Sequence, residues 1–316
     1  MGFNKYITGP GDLITTHEAT RSGFLEIALE KNRLGDPYVK EARTFQSLVA
    51  DVSKPEDLLQ KVEVRSFLLT ASGLSEKALS HLDTNDDEIV LTAFIDKCLK
   101  PAGHQFIEEA MYRYLLTKGD AVGGEMRNRI GAMAQDKLVR KFLSLFAVRN
   151  INYSYLDKNT KKWISGPNNQ AGIESSIGGF RWTLPLKTMR QLTFNETNKM
   201  VGKNIDICLY DFGSFQKQLK KDQNDFAIMF GELKGGIDPA GADEHWKTGS
   251  TALERIRSAF KTQKQIDIQT CFIGGAIEKA MAEEIFSQLQ SGTLSNAANL
   301  TNDYQFTELV NWMVNL

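Results

Sequence analysis

No run of apolar residues in this 316-residue chain approaches the roughly 18 needed to span a bilayer, which argues against a helical membrane anchor. The opening Met-Gly-Phe-Asn-Lys-Tyr lacks both the apolar core of a secretion signal and the Ser/Thr of a myristoylation motif. A cytoplasmic location with no membrane partner is the expectation. Cysteine is scarce. Cys98, Cys208 and Cys271 are odd in number, far apart and set among apolar neighbours, which predicts small buried hydrophobes rather than a disulfide framework. Charge of one sign is missing too, since 38 Lys and Arg face 39 Asp and Glu. A net charge of −1 gives the chain as a whole no pull on nucleic acid, so any such surface must be local. There is no internal repeat and no low-complexity tract.

Three apparent motifs fail on their chemistry. Asp83-Thr84-Asn85-Asp86-Asp87 opens like a calcium loop, but Glu88 and Phe94 stand where glycine and a bidentate glutamate are needed, so a solvated helix start explains the acids. In His245-Trp246-Lys247-Thr248 a tryptophan precedes the lysine, where a phosphate loop requires glycine. His17, His81 and His104 have no partner at zinc-ligand spacing.

What is present divides into two textures. Up to about residue 150 the apolar spacing is helical. Asp36-Pro37 and Ser53-Lys54-Pro55 read as helix starts, Ser75 as another, and the runs 105–116 and 124–148 as two long helices parted by Gly119-Asp120. Beyond Asn150 the chain turns to short β-branched and aromatic segments, with strands expected at 151–155, 178–184, 204–210, 226–234 and 267–273. Helices are expected at 251–262, 277–290 and 302–314, the first opened by a Thr251-x-x-Glu254 capping box. The reading is an α/β (α+β) fold with a mixed central sheet flanked by helices and a helical N-terminal region.

One constellation carries chemistry. In Asn204-Ile205-Asp206-Ile207-Cys208-Leu209 alternation sends the isoleucines and Leu209 one way and Asp206 the other, with Cys208. Glu232 and Lys234 stand two apart at the end of an otherwise apolar strand, hence on one face. Two carboxylates and an ammonium suit a Mg²⁺ site, because Mg²⁺ takes hard oxygen ligands and keeps waters. A buried Asp206 to Lys234 ion pair, with Glu232 at a solvated strand end, satisfies the same spacing.

Asp followed by Glu-x-Lys resembles the PD-(D/E)xK nuclease core, with Ile205 in place of the motif's proline. The block Gly231-Glu-Leu-Lys-Gly-Gly-Ile-Asp-Pro-Ala-Gly-Ala-Asp-Glu-His-Trp-Lys-Thr248 resembles the AvaI/BsoBI family of type II restriction endonucleases. So do Lys203-Asn-Ile-Asp-Ile-Cys-Leu209, Gly119-Asp-Ala-Val-Gly-Gly-Glu-Met-Arg-Asn128 and Met281-Ala-Glu-Glu-Ile-Phe-Ser-Gln-Leu-Gln-Ser-Gly292.

The resemblance implies a homodimer that closes around double-stranded DNA and cuts the degenerate palindrome CYCGRG with Mg²⁺. It implies a DNA-clasping helical domain, 1–115, and a PD-(D/E)xK catalytic domain, 116–316. Asp206, Glu232 and Lys234 would form the catalytic trio, with Asp206, Glu232 and the Leu233 carbonyl as metal ligands. His245 would be a candidate general base, since a neutral imidazole can take a proton from water; a partner for Asp243, Glu244 or a phosphate is the alternative. Lys77, Lys203 and Asp238 would read bases, consistent with Lys donating to guanine and Asp accepting from cytosine. Lys247, Arg255 and Arg257, with Lys261 and Lys264, form a local basic run suited to phosphates. A cognate DNA methyltransferase is expected in the same system without direct contact. Two other readings share these residues: a PD-(D/E)xK resolvase or repair nuclease, and an inactive DNA-binding protein.

Overall fold

The computed structural model describes residues 2–167, 172–184, 188–212 and 222–316. Two compact units emerge, Leu25–Arg129 and a discontinuous one made of Met1–Phe24 and Ile130–Leu316. The 115/116 boundary expected from sequence falls inside a helix, and the division lies further along at Arg129, with the N-terminal stretch joining the later unit.

The Leu25–Arg129 unit is helical. It contains most of α1 (His17–Leu48), all of α2 (Arg65–Ala71), α3 (Glu76–Leu79) and α4 (Thr84–Phe94), and the beginning of α5 (Phe106–Val148). Phe45, Phe67 and Tyr114 stack with ring centroids 4.1 and 3.9 Å apart, and Leu68, Leu91, Phe94 and Leu99 close the core around them. Asp83 caps α4 by accepting from the Asn85 and Asp86 amides, so the acids there are a helix start. Two punctuation signals mislead. Pro37 lies inside α1 rather than at a helix start. Gly119 and Asp120 lie inside α5, where Gly119 keeps a negative, helical φ; glycine costs a helix roughly 1 kcal/mol but does not end it.

The other unit is built on an eight-stranded sheet in the order β2-β1-β3-β4-β5-β6-β7-β8. The strands are β1 (Tyr153–Asp157), β2 (Trp163–Ser165), β3 (Ile177–Thr183), β4 (Met189–Asn198), β5 (Lys203–Asp211), β6 (Ala227–Lys234), β7 (Gln269–Gly274) and β8 (Asn296–Asn299). Pairing is antiparallel as far as β6, and parallel for β6–β7 and β7–β8. Between the parallel strands run α6 (Ala242–Lys264) and α7 (Lys279–Ser291), and α8 (Asp303–Asn315) follows β8.

Both faces of the central strands are buried, which is why they read as continuous apolar runs. Met229, Cys271, Ile273 and Ala298 pack with α5 and α8 on one face. Phe230, Phe272 and Ala297 pack with α6 and α7 on the other. The helix expected from Thr251 begins nine residues earlier, at Ala242, with Asp243 and Glu244 in its first turn. Glu254 is interior and pairs with Arg257.

A polar network ties residues 4–15 to the far end of the chain. Asn4 Nδ2 donates to the Ala297 and Gln305 carbonyls, Asn299 Nδ2 to the Leu13 carbonyl, and Gln305 Nε2 to the Asp12 carbonyl. Thr15 Oγ1 donates to the Gly275 carbonyl and accepts from the Ile277 amide.

Candidate active site

The ladder between β5 and β6 runs to Ile207–Gly231, and continuing that register by one residue would oppose Asp206 and Glu232. Residues directly opposed across antiparallel strands share a face, so the two carboxylates meet there. Glu232 is buried at 4% exposure, close enough to Asp206 for the two to interact electrostatically. Lys234 Nζ lies 2.8 Å from Glu232 Oε2 and 3.8 Å from Asp206 Oδ2. Burial, reinforced by the Asp206 charge, pushes the Glu232 carboxyl up to about 7 against the pull of Lys234. Burial works to lower Lys234, but the two carboxylates outweigh it and hold the ammonium above its ordinary value. The Asp206–Lys234 contact exists, yet Glu232 takes the nearer bond and is no solvated strand end.

Asp206 Oδ2 also accepts from the Leu233 amide at 2.8 Å. The N–H and C=O of one strand residue point to the same neighbouring strand, so the Leu233 carbonyl shares the Asp206 edge. The donor set is therefore two carboxylates that share Lys234 plus a backbone carbonyl. No group of three or more His, Cys, Asp or Glu that could hold a metal occurs among the described residues. Hard oxygen donors with positions left for water fit Mg²⁺, and a divalent cation would relieve the charge conflict that raises Glu232.

Ile205 departs from the expected alternation, packing with Cys208 and Tyr210 rather than with Ile207. Its break coincides with Asn195, the β4 residue lying between the register pairs Phe194–Ile207 and Glu196–Ile205, whose φ is 53°. Cys208 and Cys271 are free and fully buried, and burial raises both thiols.

The turn after β6 is held by close backbone approaches. The Gly275 amide donates to the Lys234 carbonyl at 2.8 Å, and a Cβ on Gly275 would fall 2.7 Å from the Gly236 carbonyl oxygen. His245, half-buried in the first turns of α6, faces this turn: a Cβ on Gly236 would lie 2.6 Å from its Nε2. One helical turn on, Gly249 lies against Phe272 and the Lys234 stem. His245 is thus one turn from the helix position that packs on Lys234.

The other expected residues sit further out. Lys203 begins β5 and is exposed. Asp238 is exposed and caps the short turn 239–241, accepting from the Ala240 amide at 3.0 Å. Lys77 is exposed on α3 in the helical unit. Of the basic run on α6, Lys247 pairs with Asp243, Arg257 with Glu254, Lys261 with Asp267 and Lys264 with Asp225. Arg257 also donates to Thr270 Oγ1. Arg255 alone of the five has no ion pair among the described residues, and it is exposed.

Residues 3–316 match the family profile described as restriction endonuclease BsobI. The chain belongs to that family. It is 44% identical to the type II restriction enzyme AvaI of Nostoc sp. strain PCC 7120 over the full length of both chains, and equally to AvaI of Anabaena variabilis. It is also 44% identical to the type II restriction enzyme BsoBI of Geobacillus stearothermophilus, over 99% of this chain and 98% of that one. A restriction endonuclease family sets aside the resolvase and repair-nuclease readings.

Proposed function

We propose that this type II restriction endonuclease hydrolyses double-stranded DNA at CYCGRG, with Mg²⁺ held by Asp206, Glu232 and the Leu233 carbonyl. The observation that supports it is the convergence of Asp206, Glu232 and Lys234 where the β5–β6 ladder ends. Bound there, the metal would supply a Lewis acid for the scissile phosphate and a more acidic water. Asp206 and Glu232 hold the charge, and the Lys234 ammonium orients the attacking oxygen and offsets the phosphate. His245 is the proton acceptor, close to the trio but not engaged by it.

Exposure of Lys203, Asp238 and Lys77 is consistent with base reading. Arg255, and Lys247 and Arg257 once they exchange Asp243 and Glu254 for DNA, are the phosphate contacts of this reading, and Arg257 also joins α6 to β7 through Thr270. The active form is a homodimer, one subunit for each half of the palindrome. A DNA methyltransferase of the same specificity is expected to protect host sites without touching this protein.

The test is digestion of a sequenced plasmid with and without Mg²⁺, with the ends mapped. Cuts confined to CYCGRG and absent in EDTA are expected. Asp206→Ala and Glu232→Ala should abolish cleavage while leaving cognate binding largely intact; substantial cleavage by either would sink the metal assignment. A parent that binds the site but never cuts it would favour a DNA-binding protein without nuclease activity.

A further inference from the structure

One polar side chain interrupts the apolar stripe that α5 lays on the sheet. Ala134, Leu138, Val139, Phe142 and Phe146 are buried there, and with them Gln135 at 8% exposure. Gln135 Oε1 accepts from Asn195 Nδ2 at 2.5 Å. Its amide nitrogen is enclosed and has no hydrogen-bond partner. Native interiors seldom keep a donor in that state, and where they do the cause is strain, function, or a water, ion or ligand that completes the bond.

The position of Gln135 says which ligand. Ala134 beside it abuts Gly235, the residue after Lys234: a Cβ there would fall 2.5 Å from the Ala134 Cβ. Its bonding partner Asn195 lies across from Asp206 on β4. Asn195 is exposed and holds a left-handed φ of 53° within a strand, a conformation asparagine tolerates at some cost. Its carbonyl accepts from Asn204 Nδ2 at 2.9 Å, and Asn204 follows Lys203. Three neutral amides therefore run in sequence from the interior to the surface, from α5 across β4 to the start of the Asp206 strand. Among the described residues they have no carboxylate partner.

The geometry points to a phosphate seat: Gln135 and Asn195 donate their amide N–H groups to one DNA phosphate next to the phosphate that is cut. For a phosphate to reach the enclosed Gln135 nitrogen, the exposed Asn195 side chain bonded to the same amide would have to turn outward. Amide donors suit this place because a further cation beside Lys234 would compete for Asp206 and Glu232. The inference rests on the DNA-cleaving reading above and assigns a further residue pair to it.

Gln135→Met, which keeps the volume and removes the orphan donor, is the direct test. Binding is measured in EDTA on a cognate duplex and on an unrelated duplex, so the readout does not depend on cleavage. Affinity should fall about 10-fold on both duplexes alike, as for a lost bond to a charged group that carries no sequence information. The melting temperature should stay level or rise, since an unsatisfied buried group has gone. A lower melting temperature with unchanged binding would mean a structural amide or a buried water, and a loss confined to the cognate duplex would mean a base contact; either overturns the proposal. Asn195→Gly, which retains the left-handed backbone, guards against misfolding of the first variant. With a duplex carrying one methylphosphonate at the phosphate flanking the cut, the parent should lose affinity, and Asn195→Gly should lose little more there. Equal further loss in the variant would also overturn it. Failure of the parent to cut any plasmid with Mg²⁺ would instead count against the endonuclease reading itself.

Discussion

Glu232 lies between Asp206 and Lys234 with burial holding its proton up to about pH 7, so the folded protein binds that proton more tightly than the unfolded chain does. Its carboxyl is raised from 4.5, and the sign follows: the stability tied to the protonated form is fully present below pH 4.5 and is lost as pH rises through 7. Metal-free protein should therefore gain a few degrees of melting temperature from Glu232→Gln above pH 7 and nothing at pH 4. An unchanged melting curve at both pH values would remove the charge conflict from the account. His245 makes a separate claim. His245→Ala should slow single-turnover cleavage by about 10² to 10⁴, with cognate affinity little changed. A variant that cuts saturated DNA at the parental rate would leave the proton to Lys234, the phosphate or solvent. The trio was legible in the sequence because two-residue spacing and strand alternation place side chains by geometry alone. His245, whose role is the proposal made above, stood out only by resemblance to a family. Gln135 carried no local signal, since a glutamine is an ordinary helical residue until the sheet covers it.

Helices and strands differed in how far their neighbours could be read from local sequence. β5, β6 and β7 announced themselves by apolar character, because both of their faces are buried. β4 and β8 did not. β4 ends in Asn195-Glu196-Thr197-Asn198, and β8 is only Asn-Ala-Ala-Asn, so their pairing comes from neighbours rather than propensity. Proline, glycine and the capping box do not end or start these helices, for the opposite reason: each is a local preference of about 1 to 3 kcal/mol, which burial of a long helix face outweighs. This gives a prediction for α5. A Cβ at Gly119 or Gly123 would meet nothing within 4 Å, so Gly119→Ala and Gly123→Ala should each stabilise by roughly 0.5–1 kcal/mol in urea unfolding. Destabilisation by either would show that the glycine serves a contact made only in the assembled enzyme.

The molecule as a whole is nearly neutral, and pairing keeps it so locally. Asp225, Asp243 and Asp267, all outside the 245–264 window, neutralise cations that looked like a basic patch in sequence. Phosphate contacts from α6 must then come from Arg255, unpaired among the described residues, or from cations that exchange a carboxylate for DNA. Sedimentation on a cognate duplex should show two chains per site; one chain per site would refute the twofold arrangement. Time enters through the strap of residues 4–15. Its hydrogen-bond partners lie at 275, 277, 297, 299 and 305, and Gly275 in turn holds the Lys234 carbonyl. On a ribosome the strap emerges early and waits through most of translation before its partners exist. A nascent chain therefore has no finished cleavage site to turn on the chromosome beside it, and nicking by stalled fragments ending before 296 should be undetectable.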